Sequence, residues 1–244
     1  MKRRMCSMIL TGILVFALSA CGGDSGNKKE TDQEQKQEEK TEQSDDSQTA
    51  QVADELIVLT GSDASTFDPH FCTDSATEIF NKNIFNNLVR FNEDMEIESD
   101  LAKEWSISED QLTWTFKLEE GVKFHDGTDF NAEAVKTSFE RVLDENLGSP
   151  RRSVLAAITK IEAVDEHTVN ISTDVPCGAL LQQLCHPVAA IISLKSLEDY
   201  GEEISTHPVG TGAFKFVEWK TGEELVLERN PEYFKGAPAV EKVY

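Results

Sequence analysis

Four places in the chain carry side chains able to do chemistry. His125 and Asp126 are adjacent and have the residue types of a general base and its orienting carboxylate. A base and its orienter are normally brought together from separate parts of a fold with a nucleophile in reach. No serine or cysteine motif accompanies this doublet, and Asp126-Gly127 has a use of its own as a turn. Cys177, Cys185 and His186 hold soft ligand atoms, yet structural zinc sites pair their ligands at short spacings that this trio lacks, so no metal is expected. Gly210-Thr-Gly212 has no following lysine and leads into a strand, which argues against a phosphate loop and for backbone bending ahead of Phe214. The fourth place is Ser65, Thr66, Phe67, Asp68 and His70, whose position after the first strand marks them as candidate ligand contacts. No catalytic residue and no cofactor is expected.

The elements that must position these residues follow from periodicity. Glu55 to Thr60 reads as an apolar strand that runs into the Gly, Ser and Asp-rich loop ending at His70, where an α/β protein places ligand contacts. Asp68-Pro69 equally sets a turn, and both uses stay open. Thr73 begins a helix with Ser75 and Glu78 spaced as a capping box and Ala76, Ile79, Phe80, Ile84 and Leu88 as its buried face. A strand follows from near Trp105. Leu112, Trp114, Phe116 and Leu118 then alternate with polar residues, Glu119-Glu120-Gly121 breaks the run, and Val122 and Phe124 follow, predicting a hairpin that feeds a turn and then a helix. In that helix Asn131 is the expected N-cap, Phe130 and Val135 a hydrophobic staple, and Val135, Ser138, Phe139 and Val142 the apolar face, with Lys136, Glu140 and Arg141 elsewhere. Two strands around Asp165-Glu166, with His167 facing solvent, a short helix over Gly178 to Leu184, and a hairpin turning at Lys220-Thr-Gly222 complete the pattern.

Composition narrows the partners. The 244 residues carry 45 acidic against 23 basic side chains, a formal net charge of −22, with no basic stripe interleaved with aromatics, so nucleic acid is not an expected partner. Met1-Lys-Arg-Arg4 and the apolar Met8 to Ala17 read as an export signal, too short for a permanent membrane span. Gly22 to Ala53 is polar, charged and free of aromatics, and reads as a hydrated tether. Outside the signal and Cys21, three cysteines remain, and one bridge between Cys177 and Cys185 fits an oxidising compartment.

Leu18-Ser-Ala-Cys21 resembles the lipobox of bacterial lipoproteins. That resemblance implies cleavage before Cys21 and acylation of its sulfur, two or more chains being needed for firm anchoring. The alternative is an ordinary secretory signal with an incidental cysteine.

Further along, Leu112 to Phe116, Gly121-Val-Lys-Phe-His-Asp-Gly127, Phe130-Asn-Ala-Glu-Ala-Val135, His207-Pro-Val-Gly-Thr-Gly-Ala-Phe-Lys-Phe216 and Asn230-Pro-Glu-Tyr-Phe234 resemble, in order, the family 5 extracellular solute-binding proteins of ABC importers. Two departures are Ala213, where that family often has proline, and Phe234, where it often has tryptophan. The resemblance implies a mixed α/β, periplasmic-binding-protein-like fold of two lobes with an extra small domain. It implies domain I over 54–75, domain II over 76–203 and a return to domain I over 204–244, after a signal peptide over 1–20 and a lipidated tether over 21–53. It also places the loop of Ser65 to His70 at the cleft between lobes. The function implied is capture of oligopeptides or dipeptides at the outer face of the cytoplasmic membrane and delivery to the permease subunits. Receptors for nickel, haem or glutathione are alternatives within the family, and an adhesion or chaperone-like surface lipoprotein is the alternative from another class. Val240 to Tyr244 reads as a strand cut open, and the chain is expected to stop before the family's third domain.

Overall fold

The alternation of Trp114, Phe116 and Leu118 builds the strand at the centre of the first core. In the computed structural model, which describes residues 54–244, β1 (Glu55–Leu56), α1 (Ser75–Ile84), β2 (Val89–Phe91), β3 (Ile97–Ser99) and β4 (Ala102–Ile107) precede β5 (Thr113–Leu118). After it come α2 (Ala132–Leu143), α3 (Arg152–Leu155), β6 (Ile158–Asp165), β7 (Thr168–Thr173), α4 (Leu180–Leu184), α5 (Leu194–Tyr200), β8 (Phe214–Lys220), β9 (Glu224–Arg229) and β10 (Lys242–Val243). The export signal, the lipidation at Cys21 and the acidic tether lie outside the described residues. No described helix is long and apolar enough to cross a membrane.

One sheet has the order β4-β5-β7-β6, all antiparallel. Phe116 and Leu118 point into its covered face and are fully buried. Their neighbours face the other way and form a polar ladder with β7: Thr113 meets Ser172 at 3.1 Å, Thr115 donates to Asn170 at 2.8 Å, and Lys117 donates to Thr168 at 2.8 Å. Cross-strand pairs of this kind hold register. The helix α2 covers the apolar face with Val135, Ser138, Phe139 and Val142, all buried as the spacing predicts. Asn131 accepts from the Ala134 amide at 3.0 Å, and Phe130 and Val135 are both buried beside the cap.

The segment between β5 and α2 differs from expectation. Val122 and Phe124 do not pair with β5, whose two edges are taken by β4 and β7. They belong to a tight hairpin of their own, bridged at Lys123 and Asp129, with Gly127 in the left-handed region at φ 84°. The helix α1 also departs: its N-cap is Asp74, which accepts from the Thr77 amide, rather than Ser75. Its buried side is Thr77, Asn81 and Ile84, while Ile79 lies 55% exposed. The carboxylate is the better acceptor for first-turn amides and moves the start by one residue.

A second sheet has the order β1-β10-β9-β8, with β1 parallel to β10 and the rest antiparallel. The first strand is shorter than its apolar run. Pairing to β10 covers Glu55 and Leu56, and after Val58 donates to the Tyr244 carbonyl no further backbone bond to β10 is made among the described residues. Ile57 and Leu59 stand 71% and 93% exposed.

Two cores result within one compact unit. The first gathers Leu88, Phe116, Phe130, Phe139, Ile171 and Ile191, and the second gathers Phe67, Ile84, Phe85, Ile192, Ile204 and Leu227. The chain changes core between Ile84 and Leu88 and again between Ile191 and Ile192. Thus Phe80 and Ile84 of α1, and Leu197 of α5, pack with the second core. Cys72, Cys177 and Cys185 are all free thiols, so the bridge expected between the last two is absent; the Cys177 sulfur faces the Gln183 side-chain oxygen at 3.8 Å instead. The N-cap of α2 is a local test of this fold: Asn131→Ala should lower the unfolding free energy by about 1 kcal/mol in urea titration, and an unchanged midpoint would contradict the capping role.

Candidate functional site

The residues with chemical potential divide into a buried junction, a buried ionic hub and an open groove. At the junction, the sequence stretches richest in family resemblance touch one another. The His125 amide donates to the Gly210 carbonyl at 2.9 Å, and its ring Nε2 lies 2.9 Å from the Gly212 carbonyl. Because that partner is a carbonyl, Nε2 carries the proton and donates. Thr211 donates through its hydroxyl to the Asn86 side-chain oxygen at 3.0 Å, and Asn230 donates through Nδ2 to the Gly212 carbonyl at 3.1 Å. His125 and Asp126 are therefore not a catalytic pair. Asp126 takes the Thr128 amide and hydroxyl and the hydroxyl of Ser193, which in turn caps α5. Burial pushes the Asp126 carboxyl upward, and the bonds from Ser193 and Thr128 outweigh it and hold the group below the usual range.

The glycines at this junction have a different use from the bend expected of them. A Cβ on Gly210 would lie 2.1 Å from the Ile84 carbonyl oxygen, and one on Gly212 would lie 2.3 Å from the Asn83 carbonyl oxygen. The backbone passes so close to the end of α1 that no side chain fits, and the Gly212 amide donates to the Ile84 carbonyl at 2.9 Å.

The loop after β1 splits in two. Ser65 and Thr66 lie at the surface or half-buried, with the Ser65 hydroxyl donating to Asp74. Phe67, Asp68 and His70 are 0%, 4% and 0% exposed, so their side chains are closed to a solute here and bear on packing instead. Phe67 meets the edge of Trp219, with ring centres 5.1 Å apart. Asp68 receives a two-pronged ion pair from Arg141, NH1 to Oδ1 at 3.1 Å and NH2 to Oδ2 at 2.6 Å. The same NH1 lies 2.8 Å from His70 Nδ1, and His70 Nε2 lies 3.0 Å from the Ala190 carbonyl. Arginine only donates, so Nδ1 accepts and Nε2 holds the proton. Arg141 thus reaches from α2 in the first core to the loop beneath the second, where its sequence position had placed it on the solvated side. Removing either partner would strand a buried charge at a cost of about 3–5 kcal/mol. Nothing local in the sequence marks this residue, because an arginine in the last turn of a helix usually faces solvent or its own helix end.

The open feature is a groove of about 690 Å³ beyond the end of β1, bordered by Ile57, Val58, Leu59, Ser62, Phe80 and Tyr244. Its floor is fixed by Asp63, which accepts from the Trp219 indole at 3.0 Å and from the Gly222 and Ala64 amides at 2.6 and 2.8 Å. Apolar and polar side chains share its wall. It offers no nucleophile beside a base.

Comparison with known proteins gives this geometry a setting. Residues 96–244 match the bacterial extracellular solute-binding proteins, family 5. The chain belongs to that family. It is 38% identical over 192 residues to the glutathione-binding protein GsiB of Pectobacterium atrosepticum, which covers 78% of this chain and 37% of that protein. Among solved structures it resembles the binding protein MoaA from A. tumefacien R10 in complex with mannopinic acid, with a TM-score of 0.74, 34% identity, and coverage of 79% of this chain and 40% of that one. It also resembles the periplasmic binding protein DppA of Helicobacter pylori in complex with the peptide STSA, with a TM-score of 0.71, 31% identity, and coverage of 78% and 41%. The chain spans about two fifths of the length of these relatives. The mixed α/β, periplasmic-binding-protein fold expected from sequence is the one found.

Both buried histidines make the structure acid-sensitive. Burial pushes His70 down to about 4, with Asp68 opposing and Arg141 assisting, and burial likewise pushes His125 down to about 4 against the Gly212 bond. Folded, each is neutral above that value; unfolded, each takes up a proton near 6.5. The unfolded state then binds more protons between pH 6.5 and 4, so stability is full above 6.5 and falls across that window, by about 3 kcal/mol per histidine. Urea midpoints at pH 7, 5.5 and 4.5 should drop steeply for the natural chain and less steeply for His125→Gln. Parallel slopes for the two proteins would refute the assignment.

Proposed function

We propose that this chain forms the N-terminal part of the solute-capturing receptor of an ABC importer, and that its solutes are peptides. The observation that carries the reading is the family match over residues 96–244, joined by the likeness to a binding protein solved with a bound peptide; the groove bordered by Ile57 and Leu59 is the candidate contact surface. An extended peptide laid there adds main-chain hydrogen bonds, with alternate side chains against the apolar wall. Ser65 and Thr66 stand at the surface of the neighbouring loop and are the members of the predicted set left to contact a solute; Phe67, Asp68 and His70 support them from below. No chemistry on the solute is required. The receptor closes over its ligand and presents it to the permease subunits. Cys21, acylated after signal cleavage, holds it at the outer face of the cytoplasmic membrane, and the acidic residues up to 53 act as the tether.

A second reading within the same class is glutathione, supported by the 38% identity to a glutathione-binding protein. Glutathione is itself a short peptide with one unusual linkage, so the two readings share the groove and differ in the ligand's end groups.

The test uses a chimaera in which residues 54–244 replace the matching part of the Pectobacterium glutathione-binding protein, with that protein unmodified as control. Dipeptides, tetrapeptides and glutathione are titrated while melting is followed. A ligand at a hundred times its dissociation constant should add about 2.7 kcal/mol of stability. Leu59→Asp, at a side chain 93% exposed among the described residues, should weaken the preferred ligand on the order of tenfold, about 1.4 kcal/mol. A cooperatively folded chimaera that binds none of these solutes, or one whose binding ignores Leu59→Asp, would overturn the proposal.

A further inference from the structure

His70 sits where the loop after β1 meets three other parts of the fold. Its ring accepts from Arg141 of α2 at 2.8 Å and donates to the Ala190 carbonyl at 3.0 Å. Its own carbonyl accepts from the Ser149 hydroxyl at 2.6 Å, and its amide donates to the Asp68 carboxylate at 3.0 Å. The charged groups that bear on the ring are Asp68 from its own loop and Arg141 from α2. Ser149, after α2, and Ala190, before α5, present neutral partners, and Glu78 of α1 faces Arg151 at 4.0 Å. The Arg141 guanidinium also lies over the Phe71 ring, 5.8 Å from its centre.

This arrangement has one place for a second proton. Nε2 already carries one, so the next goes to Nδ1, the atom to which Arg141 donates. Two donors would then face each other, and two positive charges would share the single carboxylate of Asp68. That carboxylate is already engaged by both ends of the guanidinium and by the His70 amide. Water relieves the conflict, and reaching water means lifting residues 68–72 off α2. The segment lies between two fixed points. Phe67 packs against Phe216 and Trp219, with ring centres 5.5 and 5.1 Å away, and its amide donates to the Ser205 carbonyl at 2.9 Å. Asp74 caps α1. Lifting hydrates Asp68, His70 and Arg141 together, so no charge stays buried alone, and the desolvation penalty of a buried pair offsets most of its attraction. Neither core has to open.

We propose that His70 is an acid-operated latch: a second proton on its ring releases residues 68–72 from α2 while both cores remain folded. Thr66 moves with the latch, because its hydroxyl accepts from the Asp68 amide at 3.1 Å. Ser65 stays, tied to Asp74 and Thr77 at the start of α1. The switch goes beyond the solute reading and does not depend on which ligand the receptor takes. In the closed form burial holds the ring down to about 4, whereas the released ring titrates near 6.5. The open form therefore binds more protons, and the closed form loses its advantage as pH falls from 6.5 toward 4.

The experiment follows hydrogen exchange of the intact chain from about pH 6.5 to 4.5, corrected for the intrinsic pH dependence of exchange. The amides of Phe71 and Cys72, both bonded to the Asp68 carbonyl, report the latch, and those of Phe116 and Leu227 report the two cores. Over that range the opening constant of the latch should rise by about 40-fold, the limit for uptake of one proton, while the core amides remain better protected than the latch at every pH. His70→Asn keeps a side-chain acceptor toward Arg141 and takes up no proton in this range, so its latch should open to the same extent throughout. Where that variant does not fold, the ring of His70 in the natural chain decides: its NMR titration should lie below that of a free histidine and coincide with the loss of latch protection. Latch amides that exchange only together with the cores, an unchanged pH response in a folded His70→Asn, or a ring that titrates with the latch still protected would each overturn the proposal.

Discussion

The close passage of Gly210-Thr211-Gly212 over the end of α1 is the contact on which the rest of the structure depends. Backbone there lies on backbone, at a distance that excludes any Cβ at either glycine. Several of the ties between the two cores converge on this crossing. The Gly212 amide takes the Ile84 carbonyl at the C-terminal end of α1, His125 reaches in from the hairpin before α2, Asn86 holds the Thr211 hydroxyl, and Asn230 closes over the Gly212 carbonyl from the end of β9. Asn86, Thr211 and Asn230 are buried and His125 half-buried, and these groups pair with one another.

A second tie runs beneath it. Arg141 leaves α2 and meets Asp68 and His70 under the loop that follows β1. An ion pair so deeply buried adds little net stability compared with apolar packing, but it fixes geometry, since any other placement of the loop leaves a charge unpaired. The loop is thereby held while its outer residues, Ser65 and Thr66, and the strand end from Ile57 to Leu59 stay open.

Local elements were legible in the sequence where one signal acted alone. The α2 cap and face followed from Asn131 and a spacing of three and four, and the alternation around Phe116 gave a strand with one apolar face. Legibility failed where two signals competed or where the cause was distant. Ser75 and Asp74 are both good caps, and the carboxylate won. The apolar run Glu55 to Thr60 promised a full strand, whereas only Glu55 and Leu56 pair with β10. The glycines of the Gly210 motif announced a special backbone, yet only the fold shows that the reason is the end of α1. Of the five residues expected at the site, three are buried because Asp68, Phe67 and His70 answer to Arg141 and Trp219, which lie 71 and more positions away. Arg141 and Asn81 carried no local signal, since both look like ordinary surface positions on an amphipathic helix.

If the glycine crossing holds the two cores as one cooperative unit, disturbing it must be felt in both. Native-state hydrogen exchange on Gly212→Ala measures this directly, with the amides of Phe116 in β5 and Leu227 in β9 as reporters of the first and second core. The account predicts that both lose protection together and by similar free energies. Loss confined to one core, or full protection in both, would contradict it.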